Sequence, residues 1–171
     1  MIKTISLAKI NISYAVKFLA LLVLATAAPL IGLHSQWITG PIVNMALILA
    51  VYLVGIRGAL LIGILPSTIA LSSGLLPTVL APMIPFIIIS NSLLILTVDW
   101  FNRQKIDYFI ALFFAAGAKY LFLLISSGMV INLILKPQLA AKVATMMSWP
   151  QFFTAILGGV LAWAGLRFLR K

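Results

Sequence analysis

The chain has 171 residues, 64% of them hydrophobic and 8% charged; Lys and Arg number 12, Asp and Glu 2, and the formal net charge is +10. A soluble domain must meet water with polar surface, which this composition cannot supply, so the sequence is that of an integral membrane protein, a single polytopic domain over 1–171, with no room for a soluble catalytic or nucleotide-binding fold. The lack of cysteine excludes disulfides, thiolate metal sites and a cysteine nucleophile.

In chain order, Lys3, Lys9 and Lys17 precede a full-length apolar segment, not the short core of a cleavable signal. A membrane-spanning helix needs about 20 apolar residues. Six stretches qualify: Tyr14–Leu33, Ile38–Val54, Gly58–Leu76, Met83–Trp100, Tyr108–Ser127 and Pro150–Leu169. Thr39 or Gly40 is expected to cap the second, with Pro41 in its first turn. Pro66 interrupts the third, and Pro85 sits in the opening turn of the fourth. The pattern predicts an all-α bundle of six transmembrane helices.

The cations orient it. With the N-terminus inside, the inner segments hold Lys3, Lys9, Lys17, Arg57, Arg103, Lys105, Arg167, Arg170 and Lys171, nine of the 12. The outer segments 34–37, 77–82 and 128–149 hold Lys136 and Lys142 alone. Basic residues stay on the cytoplasmic side, so both termini are expected to be cytoplasmic. In the last outer segment Leu139, Val143, Met146 and Met147 fall on one helical face, which predicts a short amphipathic helix at the outer surface.

Few residues can carry chemistry. The first outer loop reads His34-Ser35-Gln36-Trp37-Ile38-Thr39-Gly40-Pro41, with Asn44 one turn later. These residues suit a capped helix start with an interfacial Trp and polar bonds between helices. They equally suit the rim of an outward-facing pocket, in which Trp37 stacks on a planar ligand and Thr39 and Asn44 hydrogen-bond it. Asn91 stands mid-span in Ser90-Asn91-Ser92, where an amide needs a partner. It either bonds a neighbouring helix or lines the floor of the same pocket. Lys119 lies about 17 Å into its span at 1.5 Å per residue. A lysine at that depth costs roughly 2.5–3.5 kcal/mol on insertion scales, and the two acids, Asp99 and Asp107, belong to the inner loop. The compensation must be snorkelling, carbonyls, water, deprotonation or a ligand anion. Ser126 and Ser127 make a serine–lysine dyad conceivable, without specific spacing. No His/Asp/Glu cluster offers a metal site.

Trp37-Ile38-Thr39-Gly40-Pro41-Ile42-Val43-Asn44, then Gly55-Ile56-Arg57-Gly58, then Leu76-Pro77 and Ala81-Pro82-Met83-Ile84-Pro85-Phe86 with Asn91, together resemble the substrate-binding S components of energy-coupling factor transporters. The resemblance covers the length, the six spans and this signature. It implies a small membrane subunit that captures a vitamin-like organic nutrient at the outer face, in the cytoplasmic membrane of a prokaryote. It implies a transmembrane scaffold subunit and two cytoplasmic ATPases as partners, ATP being used by them and no cofactor by this chain. Pocket positions carried over are Trp37, Thr39, Asn44, Asn91, Lys119 and Trp149. The sequence departs from the family in two places. Ala20, Ala25, Ala27 and Ala28 lack the three-residue spacing of the usual scaffold-docking alanines, and Ile2 stands where metal-transporting relatives have histidine, so a nickel or cobalt substrate is not expected. The competing expectations are a structural subunit of a larger membrane complex, with Lys119 and Asn91 bonded inside the bundle, and an intramembrane enzyme using Lys119.

Overall fold

A computed structural model describes residues 12–30, 35–74, 76, 78–134 and 137–169, and for 79, 132–134, 137–140 and 142 it describes the backbone alone. Expectations resting on Ile2, Lys3, Lys9, His34, Pro77, Lys136, Arg170, Lys171 and the side chains of Leu139 and Lys142 fall outside it. The described residues are all-helical: α1 Ile12–Leu30, α2 Gln36–Leu53, α3 Gly55–Ser72, a 3-10 turn over Thr78–Met83, α4 Ile84–Arg103, α5 Tyr108–Ile134, α6 Pro137–Met146 and α7 Trp149–Leu169. Among the described residues six segments are long and apolar enough to cross a membrane, as expected of a multi-pass membrane protein.

The helices alternate in direction because their links are short. One residue, Val54, joins α2 to α3; Gly55 follows at φ +77, a conformation that costs other residues a Cβ clash. The two helices fold back as a hairpin, so Leu47 lies beside Gly63. The α4–α5 turn is built from charge. The Arg103 Nε donates to Asp99 Oδ2 at 2.7 Å. Asp107 caps α5 by accepting from the backbone N–H of Phe109 at 2.8 Å and of Ile110 at 3.3 Å. Phe86 meets Phe122 and Phe101 meets Phe114, which fixes α4 and α5 as antiparallel.

In lipid, apolar side chains gain little by turning inward, so helix association rests on close packing and polar bonds. The core accordingly holds small residues, Ala46, Ala50, Ala59, Ala115, Ala116, Ala155 and Ala162, all buried. Larger apolar residues such as Leu19, Phe113, Phe114, Ile125 and Leu157 face outward. α2 is the central helix, packed on α1, α3, α4 and α7. α7 runs parallel to it: Gly40 meets Thr154, Gly158 meets Asn44, and Gly165 meets Leu49. Opposite them the Tyr108 hydroxyl donates to the Gly159 carbonyl at 2.6 Å, tying α5 to α7. A second apolar cluster, including Leu80, Met83, Leu123, Val143 and Met147, joins the 3-10 turn, α5 and α6 at the far end from the α4–α5 turn.

Several expected boundaries move. α2 starts at Gln36 with Ser35 as N-cap, so Thr39, Gly40 and Pro41 lie inside the helix and not at its cap or first turn. α3 starts at Gly55, three residues before the expected Gly58, because the Gly55 turn leaves no loop to separate the two helices. α5 continues past Ser127 to Ile134. Ser126 and Ser127 donate to their own helix, to Phe122 O at 2.7 Å and Leu124 O at 3.0 Å, so serines that resemble a helix end are accommodated within it. α6 occupies part of the expected outer segment, with Val143 buried.

A side chain at position 158 tests the α2–α7 contact. A Cβ there would stand 2.6 Å from Asn44 Cβ and 2.7 Å from the Pro41 carbonyl oxygen, and backbone cannot give way as a side chain does. Gly158→Ala is expected to destabilise the detergent-solubilised protein by about 1–3 kcal/mol. Gly128→Ala, where nothing stands within 4 Å, is expected to be neutral or stabilising. Denaturation in mixed micelles measures both.

Candidate functional site

Three buried polar side chains from three helices meet in the half of the bundle away from the α4–α5 turn. Lys119 on α5 is 3% exposed, Asn44 on α2 1% and Asn91 on α4 2%. The Lys119 Nζ donates to Asn44 Oδ1 at 2.7 Å and to Asn91 Oδ1 at 2.8 Å. These are the short distances of charge-assisted bonds. Asn91 in turn donates through Nδ2 to the Gly63 carbonyl of α3 at 3.2 Å. Four helices are thereby tied to one amine.

Local sequence explains how each group arrives there. Gly63 lets α4 come close: a Cβ on it would touch Ile95 Cδ1 at 3.1 Å and Asn91 Cβ at 3.8 Å. Pro66 interrupts the same stretch of α3, since it cannot donate to the carbonyl four residues earlier. Gly158 lets α7 press against α2 at Asn44 itself. The small Ala115 and Ala116, both fully buried, bring α5 into the core one turn before Lys119.

A partly open cavity of about 130 Å³ lies against this network. Thr39, Asn44, Asn91 and Lys119 line it, together with Gln36 and Gln151. An apolar cavity of about 150 Å³ in another protein accepts benzene, so the space here suits a molecule built around one small ring or its equivalent. Gln36 and Gln151, from the first turns of α2 and α7, each donate through Nε2 to the Met146 carbonyl, at 2.8 and 3.1 Å. Met146 ends α6, where helix carbonyls lack internal partners. The two carboxamides thus fasten the end of α6 beside the cavity.

Four of the six residues singled out from the sequence, Thr39, Asn44, Asn91 and Lys119, come together at the cavity wall. Trp37 and Trp149 are not in its lining; about half exposed, they face each other with ring centroids 5.3 Å apart. The Ser126 and Ser127 hydroxyls are bonded to backbone carbonyls, not to Lys119. Among the described residues no group of His, Asp or Glu could hold a metal ion. Gln36, Gln151, Ser67 and the Gly63 carbonyl were not evident from sequence. The two glutamines had a signal, each being a polar side chain in the opening turn of an otherwise apolar helix.

No protein-family model matches the chain, and no curated protein or solved structure matches it.

The network predicts a non-additive set of variants. Asn44→Leu or Asn91→Leu removes an acceptor from a buried amine and is expected to cost about 1–3 kcal/mol. Lys119→Met removes the amine, so adding Asn44→Leu to it should cost much less than Asn44→Leu alone. A double-mutant cycle in mixed micelles reads the coupling; additive effects would show that the amine and the amides do not act together.

Proposed function

We propose that this protein is the substrate-capture subunit of an ATP-driven micronutrient uptake transporter in the cytoplasmic membrane of a prokaryote. One observation carries the reading. A buried lysine, held by two asparagine amides, stands in the wall of a partly open cavity large enough for a small organic molecule. Polar groups inside a membrane protein are expensive and mark sites of binding or passage. A mostly apolar pocket with a few convergent polar groups is the usual form of a small-molecule site.

The placement of charge supports an outward-facing site. Lys17, Arg57, Arg103, Lys105 and Arg167 lie toward the end of the bundle opposite the cavity. Basic residues favour the cytoplasm; in this reading that end and both termini are cytoplasmic and the cavity opens to the outside. The resemblance of the 37–92 region to S components supplies the partners: a transmembrane scaffold subunit and two cytoplasmic ATPases. The protein performs no covalent chemistry in this reading. The rival reading, a structural subunit of a membrane complex, draws on the same two amide bonds, which hold Lys119 from within; the cavity beside them favours capture.

The chain has no cysteine, so single cysteines at Thr78 and Lys105 can be labelled selectively. On intact cells an impermeant maleimide is expected to reach position 78 and not 105; the reverse pattern overturns the orientation. Mild extraction of a tagged copy from its own membrane is expected to bring down a scaffold and two ATPases. Mass spectrometry of that preparation is expected to find a bound small molecule. A chain isolated alone and empty removes the proposal.

A further inference from the structure

Lys119 has no side-chain carboxylate to pair with anywhere in the chain. Asp and Glu number 2 in the whole sequence, Asp99 and Asp107. Both are committed at the opposite end of the bundle, Asp99 to Arg103 at 2.7 Å and Asp107 to the first turn of α5. The partners Lys119 does have are two neutral amide oxygens. An ammonium carries three donors, and two are used among the described residues.

Asn44 supplies a second open donor. Its Oδ1 faces Lys119, and its Nδ2 has no partner among the described residues. Every described side-chain nitrogen or oxygen that is sealed off has a hydrogen bond. The Asn44 Nδ2 therefore borders the open space of the cavity that Asn44 lines. By the same argument so does the hydroxyl of Thr39, buried and without a hydrogen-bond partner among the described residues. An amine and an amide N–H, joined through Oδ1, form adjacent donors at the wall of one small cavity.

From this we infer that the captured molecule is a small organic monocarboxylate whose carboxylate sits on the Lys119 ammonium and the Asn44 Nδ2. The inference rests on the capture reading and names its substrate class. One negative charge balances the single positive charge. A phosphate monoester carries about −1.5 to −2 at neutral pH and would leave net negative charge in a low-dielectric site where, among the described lining residues, Lys119 is the one cation. A carboxylate offers two oxygens to two donors. The rest of the molecule occupies the apolar space toward Gln36 and Gln151. Each of these carboxamides spends one N–H on the Met146 carbonyl and keeps an oxygen without a partner among the described residues. A hydroxyl or N–H at the far end of the ligand would meet them there.

The test uses the full-length protein in detergent. It is incubated with an aqueous small-molecule extract of cells, washed, and its retained compounds are identified by mass spectrometry, beside Lys119→Met treated alike. Wild type is expected to retain a compound bearing one carboxylate, with retention about 10- to 100-fold weaker in Lys119→Met, the loss typical of a hydrogen bond to a charged group. A second readout needs no variant: benzoate should displace the retained compound at least about tenfold more effectively than the isosteric benzamide, and sodium chloride should not displace it. A retained compound that is neutral, cationic or phosphorylated overturns the monocarboxylate assignment and leaves capture standing. So does equal potency of benzoate and benzamide, or displacement by neither, or by chloride. Equal retention of a carboxylate by Lys119→Met, shown folded by its unfolding transition, overturns the role of Lys119. Retention of nothing by wild type overturns the capture reading and this inference together.

Discussion

The bond between Lys119 and two asparagine oxygens is the constraint around which the bundle is arranged. A lysine inside a membrane must be given acceptors, and acceptors there come from other helices. Asn44 and Asn91 supply them at 2.7 and 2.8 Å, and Asn91 passes the constraint on to the Gly63 carbonyl. To bring four backbones close enough, the helices need small residues at the crossing points. Gly63, Gly158, Ala115 and Ala116 occupy those positions, each where added bulk or distance would separate the polar groups. Packing in this half of the molecule follows from polar chemistry, and the apolar side chains fill what remains.

The opposite end is organised by different means. There the connections are short or charged: the Val54–Gly55 link, the Asp99–Arg103 pair and the Asp107 cap. Both acids are spent on a turn, which leaves the lysine at the other end without a partner of opposite sign. The molecule is thus divided into a braced end and an end that holds a cavity. α6 and the glutamines of α2 and α7 gather at the second through one carbonyl, that of Met146.

Much of this was legible in the sequence, and the limits have physical causes. Six spans were readable because bilayer thickness sets a minimum apolar length. Lys119 and Asn91 stood out because each is costly where it lies. Their convergence was not readable. Lys119 is separated from Asn44 by 75 positions and from Asn91 by 28, and no helical period links residues on different helices. Helix ends were misplaced where a local signal was overridden. Thr39 and Gly40 are good caps by residue type, yet Ser35 takes that place, and the serines at 126 and 127 bond their own helix instead of ending it. Trp37 reads as an interfacial aromatic or a ligand-stacking one, and Trp149 enters only as a pocket position implied by the resemblance; their mutual contact depends on the parallel packing of α2 and α7.

The positive charge of Lys119, set apart from the cations at the α4–α5 end, also gives the protein an electrical asymmetry. A unit charge that crosses a full membrane potential gains or loses about 2.3 kcal/mol per 100 mV. Any rearrangement that carries Lys119 through part of that field is driven or opposed in proportion to the fraction crossed. A neutral occupant leaves this work unchanged, whereas a monoanion seated on the amine cancels it. The empty and the filled protein would then respond differently to voltage, the empty one carrying one more positive charge through the field.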